Sequence, residues 1–146
     1  MANRKRRRAN PLLGACAGAA AGLIASWAMV RLNHLINPGD GRSDKLTPRE
    51  KLVGGSIMHY LFGATAGSLY GAAAEVDGST TRAAGLPYGV TVWLVADEIG
   101  MHASGFAIRP TDYPLSRHAS TLATHLVFGL TLEAVRRALR GRPARF

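Results

Sequence analysis

Cysteine, acid and aromatic residues are all scarce in this chain of 146 residues, and each shortage excludes something. Cys16 is the single cysteine, so neither an intrachain disulfide nor a cysteine-based metal cluster can form. Nine Asp and Glu stand against eighteen Lys and Arg, a net charge of +9. In a soluble protein that balance would suggest nucleic acid, but a nucleic-acid reader spreads its basic groups over a face with aromatics. Here aromatics are 7% of the residues and the basic groups pile up at the two ends, so no specific nucleic acid is expected as a partner. The chain also lacks a nucleophile elbow, an HExxH pair and a phosphate-cradling glycine loop. No reaction is identified, and an enzyme ranks last among the functional classes.

The most telling shortage is of charge inside long stretches. Ala9 to Val30 is 22 residues without a formal charge, enough to cross a hydrocarbon core that takes about 20 residues. Asn10-Pro11 supplies its cap and first-turn proline, predicting a helix over Pro11–Ile36. A basic start before an apolar run also describes a signal peptide, but the run continues well past any cleavage box, so it is read as an uncleaved first span. The second segment, Pro48 to Glu75, opens on the capping box Thr47-Pro48-Arg49-Glu50. The third, Ala83 to Ser104, is interrupted by Asp97 and Glu98, each costing roughly 2.5–3.5 kcal/mol at a bilayer centre. The fourth runs from Pro114 to Arg140. Short connections, among them a tight turn at Val76 to Ser79, predict antiparallel neighbours. The expected fold is therefore all-α: a single four-transmembrane-helix up-down bundle over residues 1–146, with basic tails at both ends.

Glycine is spaced along two of these segments. Gly14, Gly18 and Gly22 recur every fourth residue, as do Gly63, Gly67 and Gly71, which on a helix makes one stripe of small residues suited to close helix contact. Gly18 and Gly67 are expected to face protein. HYLFGAT, beginning at His59, returns as HLVFGLT sixty-six residues later at His125, carrying Gly63 over to Gly129, and Trp27 and Trp93 share the same offset. The chain thus reads as two tandem helix-hairpin repeats.

Orientation follows from Lys and Arg in the flanks. Eleven, including Arg6, Arg7, Arg8, Arg136, Arg137 and Arg140, fall on the side of the two termini, against seven on the other. Both termini are expected in the cytoplasm. The lipid bilayer is the expected partner, with further copies of the chain an open alternative.

The stretch THLVFGLTLEAVRRALR, Thr124 to Arg140, resembles the last helix of the YagU-like bacterial inner-membrane proteins. The resemblance implies a multi-span inner-membrane protein and carries no activity or site residue with it.

The remaining chemistry lies in ionisable groups at membrane depth. At a rise of ~1.5 Å per residue, His59, His125, Asp97 and Glu98 fall about 4–8 Å from the midplane, on the outer side. His102, His118, His34 and Arg31 lie further out, whereas the cytoplasmic half reads as nearly pure Ala, Gly, Leu and Val. His59 and His125 are expected to point into the bundle, with Asp97 or Glu98 within reach of one of them. The cluster, with His102 and His118, either fastens the helices or binds a small ligand, a metal or protons; haem or a divalent metal held by His59 and His125 is one form of it. The alternative fold is a soluble four-helix protein whose basic tails bind nucleic acid or anionic lipid.

Overall fold

The computed structural model describes residues 9–38, 56–100 and 114–141. Regular structure there is helical throughout, without a strand among the described residues: α1 (Pro11–Ile36), α2 (Ser56–Val76), α3 (Leu86–Trp93) and α4 (Leu115–Arg140). The expected start at Pro48 with its capping box, the end at Ser104, His102, and the arginines Arg6, Arg7 and Arg8 lie outside the described residues.

Helix α1 begins as its cap predicts. The Asn10 side chain accepts from the Leu13 N–H at 3.0 Å, and Pro11 occupies the first turn. Helix α4 ends on Gly141, whose φ of +60° is a left-handed cap that costs glycine nothing. Its start differs slightly from expectation, because Pro114 is extended and caps the helix from outside.

The link from α2 to α3 departs further. Instead of a tight turn into a helix at Ala83, 3-10 turns occupy Gly78–Gly85, and Ala83 (φ +48°), Ala84 (φ +53°) and Gly85 (φ +82°) are left-handed in succession. Helix α3 therefore starts at Leu86, and beyond Trp93 it widens into a π-helical stretch, Leu94–Gly100. Asp77 opens the link by accepting from the Ser79 hydroxyl and backbone N–H.

The glycine stripes meet. A Cβ at Gly18 would land on the carbonyl of Gly67, one at Gly22 on that of Gly63, and one at Gly14 on that of Gly71. The pairing numbers run in opposite senses, so α1 and α2 are antiparallel. Contact this close is open only to residues without a side chain. The second hairpin repeats the device: Gly85 meets the Gly129 carbonyl and Gly89 that of His125. Helix α1 also packs on α4, and Tyr88 ties α3 to α2 by donating to the Ala66 carbonyl at 2.6 Å.

The distribution of side chains is inverted relative to a water-soluble bundle. The core cluster holds Ala21, Ala25, Ala66, Tyr70, Val92, Phe128 and Leu132, only four of them larger than alanine. The largest fully buried side chains include Arg136, Glu133 and Ser26. Among the described residues twenty large apolar ones, including Leu12, Leu23, Leu61, Leu69 and Val95, are exposed instead. By length and composition, α1 alone among the described helices qualifies to cross a membrane, where four spans were expected. The others fall short because Gly, Ser and Tyr dilute α2, α3 is only eight residues long before the π-helical stretch that carries Asp97 and Glu98, and α4 carries two histidines and Glu133.

Candidate functional site

A cavity of about 420 Å³ opens among all four helical segments. His59 from α2, His125 from α4 and Asp97 from the π-helical stretch line it, with Ser26 and Asn33 from α1 and Thr121 and Thr124 from α4. Phe62, Val92 and Phe128 form its apolar wall.

Each imidazole is oriented by a backbone carbonyl. His59 Nε2 donates to the Ser26 carbonyl at 3.4 Å, and His125 Nδ1 donates to the Thr121 carbonyl at 2.9 Å. A carbonyl only accepts, so it fixes which ring nitrogen carries the proton. The Asp97 carboxylate stands 3.8 Å from His125 Nδ1, an ion-pair distance too long for a direct hydrogen bond. Glu98 turns to His118 instead, 2.7 Å from its Nδ1. The π-helical widening carries both neighbouring carboxylates to α4, and such widenings recur at functional sites. His118 is thus brought to Glu98 rather than into the cavity. His34 sits exposed near the end of α1, and Arg31 lies over the Trp27 ring at 5.4 Å. Trp93, the repeat partner of Trp27, donates to the Thr121 hydroxyl at 3.1 Å, so the two tryptophans do different jobs. Among the described residues no three His, Cys, Asp or Glu side chains come together to hold a metal.

Ser26, Thr121 and Thr124 were not foreseen. Ser26 is fully buried and its hydroxyl finds no hydrogen-bond partner. Thr121, four residues before His125, could have been found as a polar position sharing its helix face.

The opposite end of the bundle corrects the expectation of a half that is nearly pure Ala, Gly, Leu and Val. Glu133 takes two hydrogen bonds from Arg136, at 2.7 and 2.8 Å, and another from Arg137. Arg140 grips Glu75 with two bonds of 3.0 Å, and the Asn10 N–H donates to the same carboxylate at 3.2 Å. Arg136 is 2% exposed and Glu133 1%. These arginines, which the sequence presents as flanking topology signals, are internal ion-pair partners. Glu133 is a local partner of Arg136 and Arg137 on α4, but Glu75 and Arg140 stand 65 positions apart, and that separation hid their pairing.

The fold and cavity together define a small all-helical protein with buried ion pairs at one end of the bundle and a histidine-carboxylate cavity at the other. Residues 45–134 match the family model described as "Protein of unknown function (DUF1440)". That match takes in more than half of the chain, and the protein belongs to this family. It includes His59, Asp97, Glu98, His118 and His125 and leaves out α1. No curated protein and no solved structure matches the chain.

Proposed function

We propose that this chain is a multi-pass membrane protein, crossing the bilayer four times as an up-down bundle with both termini in the cytoplasm, and that its outer-half cavity receives a small polar ligand. The observation that carries this is the inverted surface: large apolar side chains outside; glycine, alanine and paired ions inside. A soluble bundle would gain by burying that apolar surface at roughly 25 cal/mol per Å². In lipid the drive is absent, and close packing of small residues holds helices together instead. The resemblance of the last helix to YagU-like inner-membrane proteins supports the same placement. The low hydropathy of the last three helices is accommodated because their polar groups face one another across the bundle.

A ligand site, rather than a purely structural cluster, is supported by the cavity itself. A pair of histidines serving only to fasten helices would be packed against their partners, whereas here they border open volume. Carbonate washing of membranes tests the placement: the chain should stay in the pellet, and release into the wash would overturn it. Reporters fused to each terminus should both signal cytoplasmic, and opposite signals would refute the orientation. Alanine at His59 or His125 should leave folding nearly intact if they serve a ligand, whereas a large loss of thermal stability would assign them to structure.

A further inference from the structure

The formal charge on the cavity wall is one-sided. Several of its hydroxyl and ring donors are spent on helix carbonyls: Thr121 donates to His118 at 3.2 Å, Thr124 donates to Thr121 at 2.7 Å, and the histidines donate as described above. Each neutral imidazole so fixed keeps one nitrogen with an unshared lone pair, Nδ1 on His59 and Nε2 on His125. Asp97 adds an acceptor-only carboxylate whose ion-pair contact among the described residues is the 3.8 Å approach to His125. No Lys or Arg lines the cavity, and Arg117, whose charge is felt by Asp97, is not part of its wall. The fully buried Ser26 hydroxyl, without a partner, is a further polar group at this wall.

We infer that the cavity takes a small organic ammonium cation paired with the Asp97 carboxylate, the acidic side chain on its wall. This rests on the proposal that the cavity holds a ligand and adds the ligand's class. An anion would face a carboxylate with no Lys or Arg beside it in the wall. A bare divalent metal requires donors converging at about 2.0–2.6 Å, and no three suitable side chains converge among the described residues. An amine with a body of several carbon atoms suits the volume, since small-molecule sites run from roughly 300 to 1,000 Å³. The aromatic residues Phe62 and Phe128 add walls of the kind that ammonium groups favour.

The test uses the full chain, purified in detergent and titrated with benzylammonium, benzyl alcohol, benzoate and Zn²⁺ in parallel by calorimetry and thermal melting. Benzylammonium should bind saturably and raise the melting temperature, and the neutral and anionic isosteres should do neither. Asp97→Asn should weaken benzylammonium binding at least tenfold. Ala96→Leu, which fills the cavity without removing a polar group, should abolish it and serves if Asp97→Asn does not fold. Equal binding of benzoate or benzyl alcohol, binding of Zn²⁺ alone, or undiminished binding by both variants overturns the inference, as does absence of benzylammonium binding. Carbonate washing of the same membranes reads the membrane placement independently, so a chain that stays in the pellet but ignores benzylammonium sinks the ligand class alone.

Discussion

Replacing Glu133 with alanine should be among the most damaging single changes in the protein. Its carboxylate is 1% exposed and receives both the Nε and an Nη of Arg136, itself 2% exposed, as well as Arg137. The third nitrogen of Arg136, Nη1, is buried without a hydrogen-bond partner among the described residues, and the Tyr70 ring, 6.0 Å from the guanidinium carbon, is only a weak substitute for the carboxylate. Breaking a buried pair by removing one member leaves an uncompensated charge and costs about 3–5 kcal/mol. Arg137 contributes less to that loss, because its head is partly exposed and can also reach the Thr81 carbonyl at 3.3 Å. Removing both charges with apolar residues of similar size, Glu133→Met with Arg136→Met, should recover most of the loss, because neither ion then needs a partner. The two single variants and the double variant form a cycle, read by reversible denaturant unfolding in mixed detergent micelles. A Glu133→Ala loss under about 1 kcal/mol, as for a surface pair, or a double variant as unstable as the sum of the singles, would refute the view that this pair is buried and mutually dependent.

Gly67→Leu should separate α1 from α2, because even a single methyl there would strike the Gly18 carbonyl; overpacking of about 1–3 kcal/mol or more is expected in thermal melts, and an unchanged melt counts against the contact. Ala84→Gly should stabilise by about 0.5–1 kcal/mol net, since relief of a left-handed alanine (φ +53°) exceeds the added chain entropy. Trp93→Phe should cost about 1 kcal/mol by orphaning the Thr121 hydroxyl contact, measurable in the same melts. The Ser79 hydroxyl and backbone N–H hold the Asp77 carboxyl below its ordinary value of 3.8. A lowered folded pKa means the contribution is present above 3.8 and fades as pH falls through the lower folded value. The melting difference between wild type and Asp77→Ala should therefore narrow under acid, and a gap constant with pH would exclude this cap.

Local chemistry makes the helices legible in the amino-acid sequence. Asn10-Pro11 is a cap whose partner is three residues away, and the four-residue glycine period is a property of one helix turn, so the extent of α1 and the close α1–α2 face follow from neighbours in sequence. That His59, His125 and Asp97 line a cavity could be anticipated, because an ionisable group within a long apolar segment has few tolerable orientations. What each group meets there was decided only by the folded chain. Asp97 and Glu98 are adjacent in sequence and chemically similar, yet a π-helical widening sends one to His125 at the cavity and the other to His118. Arg136 has its partner Glu133 three residues before it on the same helix, so that pair is local in sequence, whereas Arg140 reads as a solvated topology signal because its nearest charged neighbours are other arginines. Whether an arginine is a surface charge or a buried partner depends on which carboxylates the bundle brings beside it. For Arg140 that is Glu75, at the end of a different helix, and charge attraction at that separation along the chain leaves no trace in local sequence pattern.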